Sequence, residues 1–339
     1  MLKLILFVFF PFTLLFSQIE DGGNPKFYDS RNIDIEFFLV DSDLEINRQL
    51  NPMVFQFGNE YEFNVDVLRE SQVITNAEET TFILGFESPN AFGIGVHFEK
   101  FHLSDNSKLY FYDDSRTFKI GSFNSSNNKP TNSLTSSIIK GDKIILELTV
   151  PNYEIDLIDL KISSVIHDFI DIMNFFNTST SNRDDCNLNV NCFEADEWRD
   201  QINGVIRVTM GGGLCSASIV NNTAYDRTPY VLFADHCLSG SPSEYVFHFN
   251  YQSPTCSGTA GPLNQSISGS ILLANENIET GADVALLELT SDIPDSYDPF
   301  YVGWSRSSSP PQQAVGIHHP GGDTKRISFT NDNVSAGGS

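Results

Sequence analysis

Thr228-Pro-Tyr-Val-Leu-Phe-Ala-Asp-His-Cys237 is the stretch on which the reading of this chain turns. Tyr230 to Ala234 have the β-branched and aromatic character of a buried strand, and Pro229 marks its start. The strand ends abruptly on a histidine and a cysteine, which delivers an imidazole to its exposed tip with a sulfur beside it. A lone histidine in such a place is ordinarily a strand end meeting water. His236 is not alone, because Gly281-Ala-Asp-Val-Ala-Leu-Leu-Glu-Leu289 supplies a second apolar strand led by one aspartate, Asp283. A carboxylate placed there can orient an imidazole.

Ala234-Asp-His-Cys237 followed by Ala282-Asp-Val-Ala-Leu-Leu286 resembles the trypsin/chymotrypsin-fold serine proteases. Four further stretches are similar to the bacterial lysyl endopeptidase branch: Cys186-Asn-Leu-Asn-Val-Asn-Cys192, Leu214 to Ala224, Gly303-Trp304, and Ile317-His-His-Pro-Gly-Gly-Asp-Thr-Lys-Arg-Ile-Ser328. The resemblance runs from about Cys186 onward and implies a double β-barrel. It also implies a catalytic triad in which His236 is the general base and later the acid, with Asp283 accepting from its other ring nitrogen. The order, histidine before aspartate, agrees with that fold, whose serine comes last. The resemblance further pairs Cys215 with Cys237 and Cys192 with Cys256. Closure of the Cys215–Cys237 loop is worth about 3 kcal/mol on a chain-entropy argument. The counterpart of Cys186 bonds a cysteine well downstream of Ser339, so its partner is expected to be absent. The resemblance implies a preference for Lys, the residues of this chain leave the choice between Lys and Arg open, and the mechanism requires no cofactor and no metal.

In the family the nucleophile lies in a Gly-x-Ser-Gly-x-Pro loop of the second barrel, and no such motif follows Asp283. Ser239-Gly-Ser-Pro242 matches part of it, but stands immediately after His236 and before the aspartate, and reads as a turn. Ser339 follows the His-His-Pro stretch too closely to serve. The expectation is a chain truncated before the nucleophile loop, with two triad members of three, and inactive. No Arg/Lys-Ile-Val-Gly-Gly precedes the protease-like part, which starts at Asp184-Asp-Cys186. Activation by insertion of a new N-terminus is therefore not expected, and removal of a pro-region is the simpler route from zymogen to enzyme.

The 339 residues suffice for two separate cores, and 44 acidic against 20 basic residues give a net charge of -24. That balance disfavours nucleic acid and anionic membranes as partners, leaving protein or peptide substrates and a monomer as the expectation. Met1-Leu-Lys3 followed by the apolar run Leu4 to Phe16 reads as a signal peptide over residues 1–17, hence a secreted protein. All five cysteines lie between Cys186 and Cys256, and such a set suits an oxidising compartment.

Residues 18–183 read as β-rich and sandwich-like and 184–339 as the protease domain; the first part resembles the pro-segment of that protease family and lies between the export signal and the protease start, which favours a pro-region over an appended module that binds carbohydrate or a partner. Ile94, Val96 and Phe98 share one face, Lys108 to Tyr112 form another run, and Ile144, Leu146, Leu148 and Val150 alternate after the Lys140-Gly-Asp-Lys143 turn. His97 and His102 are isolated strand or turn residues, and Arg183 in a polar boundary is the expected processing site. Strands are then predicted over Val205–Met210, Cys215–Val220, Tyr230–Ala234, Tyr245–Tyr251, Ile271–Ala274 and Val284–Leu289, making a first barrel. Val302–Trp304 and Val315–Ser328 begin the second. The sequence leaves two rival functions. A metal site would use His236, His248, His318 and His319, but there is no His-Glu-x-x-His and the adjacent pair cannot both point inward from a strand. A non-catalytic secreted binding protein with a degenerate protease domain is the other.

Overall fold

The computed structural model describes residues 22–30, 33–41, 53–173, 187–258, 261–307 and 309–334. The expected signal peptide, Arg183, Cys186 and Ser339 lie outside them.

The fold is all-β, with an N-terminal sandwich and a chymotrypsin-like barrel. In the sandwich a six-stranded sheet, built around Glu79–Glu87, Lys143–Pro151 and Lys108–Asp113, faces a five-stranded one built around Gly93–His102, Asp159–Asp168 and Gly58–Asp66. Register explains the packing. Leu146 pairs with both Leu84 and Phe111, and Leu148 with both Phe82 and Leu109, so one sheet face is a continuous apolar surface. It closes on Ile94, Val96, Phe98 and Val165 of the other sheet. Burying each such side chain stabilises the fold by roughly 1.5–3 kcal/mol.

The outer face of the six-stranded sheet is covered too. Ile83, Tyr110, Tyr112 and Ile145 pack under Phe27, Tyr28, Ile33, Ile35 and Phe37. Glu147 is caught beneath this cover, where it accepts from the Tyr112 hydroxyl at 2.9 Å and from the amides of Lys26 and Phe27. Burial raises its pKa against the pull of those donors.

The barrel is one eight-stranded antiparallel sheet in the order Ser266–Ser268, Val246–His248, Val205–Met210, Gly213–Val220, Tyr230–Phe233, Val284–Leu289, Ser270–Glu276, with Phe55–Gln56 added to Gly213–Val220. The two strands at its ends are consecutive in sequence and joined only by Gly269, so the sheet rolls up and meets itself. Gly269 has φ +84°, and a Cβ there would sit 2.8 Å from Thr290 Oγ1, which leaves glycine as the residue for this corner. Ile206, Val208 and Met210 fill the interior with Ala217, Ile219, Val231, Phe247 and Leu287.

The second sheet has three strands, Leu188–Asn189, Ala314–His318 and Arg326–Thr330. The expected Val315–Ser328 run is thus a hairpin, broken at Pro320–Gly322 where Gly321 and Gly322 have positive φ. Val302–Trp304 is not a strand. Val302 alone bridges to Val220, donating to Ile219 O and accepting from Asn221 N, while Trp304 is 59% exposed. Among the described residues Gly303 and Trp304 have no strand partner, and the ladder stops after one residue.

Sandwich and barrel are joined by backbone. Phe57 N and Gly58 N both donate to Gly212 O, and Phe55 and Gln56 pair with Leu214 and Gly213. A Cβ on Gly212 would lie 1.8 Å from Gly58 O. Around this contact Phe57, Ile166, Ile172 and Leu214 form a small core of their own. Lys129 reaches across, donating to Ser268 O and to Ser268 Oγ, and burial pushes its pKa down to about 7.

The prediction is that Gly212→Ala destabilises the chain by about 1–3 kcal/mol through overpacking. Urea denaturation would show it, and limited proteolysis should cut the sandwich–barrel joint faster than in the parent.

Candidate active site

The geometry around His236 begins with strand register. Tyr230–Phe233 and Val284–Leu289 run antiparallel, with Phe233 opposite Ala285. The chain leaving Phe233 therefore passes alongside the chain entering Val284. His236, in the short turn Asp235–Cys237, comes to rest against Asp283.

Asp283 holds that residue twice. Its Oδ1 accepts from the His236 backbone amide at 2.9 Å and its Oδ2 meets His236 Nδ1 at 2.7 Å. Both side chains are about one-fifth exposed. The two oxygens lock backbone and ring together, so the imidazole plane is set by the same group that sets its tautomer. The backbone and side-chain hydrogen bonds from His236 hold the Asp283 pKa below the usual carboxylate value. Asp283 itself has φ 52°, a left-handed conformation that costs a residue with a Cβ about 1–2 kcal/mol.

Two covalent and polar ties fix the turn from its other side. Cys215, on Gly213–Val220, is disulfide-bonded to Cys237, with Cα atoms 6.4 Å apart. Asn275 Nδ2 donates to Asp235 Oδ1 at 2.7 Å from the neighbouring strand Ser270–Glu276. A second disulfide, Cys192–Cys256, ties the chain before the barrel to the loop after Tyr251. Neither Asn275 nor the amide contact to Asp283 stood out in the sequence, since an isolated asparagine and a backbone N–H leave no pattern.

Ser239-Gly-Ser-Pro242 is a turn. Gly240 has φ 68°, Pro242 opens a short 3-10 segment, Ser239 N donates to the buried Tyr245 hydroxyl, and Ser241 Oγ bonds Ser243 Oγ. Among the described residues, no serine hydroxyl bonds the second ring nitrogen of His236.

The four histidines of the metal reading are kept to separate tasks. His248 Nε2 bonds Thr209 Oγ1 at 3.3 Å. His319 is buried, stacked on Tyr251, with its Nδ1 at 2.8 Å from Asp323 O and its amide donating to Ser216 Oγ. His318 is half-buried, and burial lowers its pKa. The one group of possible ligands among the described residues is Cys215, His236 and Cys237, and its two sulfurs are bonded to each other. A disulfide sulfur is not the thiolate that binds a metal.

The arrangement is an imidazole anchored by a carboxylate at Nδ1, with Nε2 turned to the other side. Residues 180–338 match the family described as lysyl endopeptidase, C-terminal domain. This part of the chain is related to the lysyl endopeptidases. The matched segment contains His236, Asp283 and both disulfides.

In this lysyl endopeptidase-related segment the Asp283 contribution to stability has a definite sign. A carboxylate whose folded pKa is depressed stabilises above its unfolded value, near pH 4, and loses that contribution as pH falls through the lower folded value. Asp283→Asn is accordingly expected to destabilise at pH 7. Urea melts of parent and variant should begin to converge as the pH drops below the unfolded value near 4, and meet only once it has passed the lower folded value, where the parent's carboxylate is protonated as well.

Proposed function

We propose that the chain is a secreted serine endopeptidase in which His236 is the general base and Asp283 its orienting carboxylate. The observation that carries this reading is the double hydrogen bond from one aspartate to both the ring and the amide of His236. In the reaction, His236 Nε2 takes the proton of a serine hydroxyl as its oxygen attacks the scissile carbonyl, then returns it to the leaving amine. Asp283 keeps the hydrogen on Nδ1 and steadies the imidazolium as it forms.

The serine of this triad is not found in a Gly-x-Ser-Gly-x-Pro loop within the 339 residues, so hydrolysis requires a nucleophile from outside them. The 339-residue chain is correspondingly proposed to be inactive by itself. The lysyl endopeptidase match supports Lys as the residue after which cleavage occurs.

Residues 1–17 are proposed as an export signal and 18–183 as a pro-region. The backbone joint at Gly212 supports the second part, since it seats the sandwich on the strand that carries Cys215. Two disulfides favour an oxidising compartment, and no helix among the described residues is long and apolar enough to cross a membrane.

The decisive experiment compares the 339-residue chain with one extended through a Gly-x-Ser-Gly-x-Pro segment. On a lysyl ester the first is expected to give no turnover and the second to be active. In the active chain His236→Ala and Asp283→Asn should each lower kcat by about 10⁴-fold or more with KM little changed. An extended chain as inert as the short one would leave the degenerate binding protein as the better reading.

A further inference from the structure

A cleft of about 480 Å³ opens where the sandwich meets the barrel, on the side of Val205–Met210 that faces away from the barrel core. Its barrel wall is made by Arg207, Thr209 and His248. Arg207 and His248 are directly opposite each other on neighbouring strands, which puts their Cβ atoms roughly 5 Å apart on one face. Its sandwich wall includes Ile138, Ile172 and Met173, with Leu263 at the side and Lys140 on the exposed edge.

The wall carries unmet polar capacity. Arg207 is 2% exposed and His248 4%, and neither Arg207 Nε nor His248 Nδ1 has a hydrogen-bond partner. Arg207 Nη1 donates weakly to Gly322 O at 3.3 Å, and its guanidinium lies over the Tyr251 ring at 3.9 Å. The one carboxylate that acts on it is Asp323, already paired with Arg326 at 2.7 Å. No acidic residue lines the cleft among the described residues, in a chain whose net charge is -24. Lys119 also lines it, but its ammonium is bound to Gly23 O and Asn24 Oδ1. A buried guanidinium that shares its nearby carboxylate with Arg326 gains when a further anion joins it.

We propose that this cleft binds an apolar monocarboxylate, its carboxylate between Arg207 and His248 and its stem along Ile138, Ile172, Met173 and Leu263. Arg207 Nε–H is one donor. When Thr209 donates to His248 Nε2, at 3.3 Å, Nδ1–H is the other, and a bound carboxylate selects that tautomer over the one in which Thr209 donates to Val246 O at 3.4 Å. Phe57, Phe118, Ile120, Ile138, Ile172, Met173 and Leu263 outnumber the polar Ser137 and Asn264 in the rest of the lining, which favours a single charge on a hydrocarbon stem over a compact, doubly charged anion such as phosphate. The same chemistry is offered by a medium-chain fatty acid and by the C-terminal carboxylate of an apolar peptide. The inference is independent of the triad reading, since the cleft uses neither His236 nor Asp283.

Isothermal titration of the whole 339-residue chain tests it with decanoate, decanol, an N-acetylated peptide ending in leucine as free acid, the same peptide as amide, and inorganic phosphate. The expected result is binding tighter than about 1 mM for at least one free acid, and none for its uncharged counterpart. Decanoate alone would assign a lipid-like ligand, and the peptide acid alone a peptide terminus. Arg207→Met should weaken binding at least about tenfold, the loss of a charged hydrogen bond. Should Arg207→Met fail to fold, Leu263→Trp, on a half-buried loop position, should block the cleft and abolish binding. Decanol binding as well as decanoate, phosphate binding as well as either acid, no acid binding at all, or binding untouched by Leu263→Trp would each overturn the proposal.

Discussion

One aspartate holding a backbone amide and an imidazole at once is the constraint to which the barrel's geometry is subordinate. A single hydrogen bond to Nδ1 would leave the histidine free to swing about its own backbone. Fixing the amide as well converts the turn Asp235–Cys237 into a rigid mount. Asp283 manages this from a left-handed backbone conformation that its side chain does not favour, and two hydrogen bonds of about 1 kcal/mol each, stronger for an ionised acceptor, offset that cost. Strain of this kind persists only where the surroundings over-determine it. Here they do: the ladder Tyr230–Phe233 with Val284–Leu289 sets the approach, the Cys215–Cys237 bridge pins the far end, and Asn275 steadies Asp235.

The barrel can hold that mount still because its sheet curls until Ser266–Ser268, continuing as Ser270–Glu276, pairs with Val246–His248 at one end and Val284–Leu289 at the other. Closure through Gly269 makes the strands at either end neighbours in sequence, and the polar groups of Lys129 and Thr290 gather at that corner. Lys129 sits there as a buried base whose pKa has dropped to about 7, and its donors are spent on Ser268. Lys325 is a second such base, donating to Ile202 O at 2.7 Å and lowered to about 7 by burial alone. In both cases the fold prefers the neutral amine. The unfolded chain therefore binds more protons between about pH 7 and the free-lysine value, and these two sites make stability rise with pH across that window.

Much of the fold was legible because the relevant faces alternate cleanly. Ile144, Leu146, Leu148 and Val150 name a sheet face without help from any other part of the chain, and the all-β class follows from many such runs. The proximity of His236 and Asp283 was legible for a different reason. Each is the first polar group at the end of an apolar strand, and antiparallel pairing brings one strand's end to the other's start. What escaped were features made by single residues. Val302–Trp304 looks like a strand and is one bridge, because strand formation needs a partner and propensity supplies none. Phe55–Gln56 is too short to carry a period, yet it joins the barrel sheet.

Arg207 shows the physical reason most sharply. In Val205–Met210 the apolar residues Ile206, Val208 and Met210 declare one face as core, which by alternation makes Arg207 and Thr209 the face for solvent. That inference is correct for the strand and wrong for the molecule, since the sandwich lies over this face and Arg207 is among the largest fully buried side chains. A sequence period records which side of a strand is wet in its own sheet. Whether a second unit covers the wet side is decided elsewhere, here by Gly212, whose missing side chain lets its backbone touch that of Gly58. A charge placed on a face before it is covered stays there afterwards, and Arg207 is the case at the cleft between the two units.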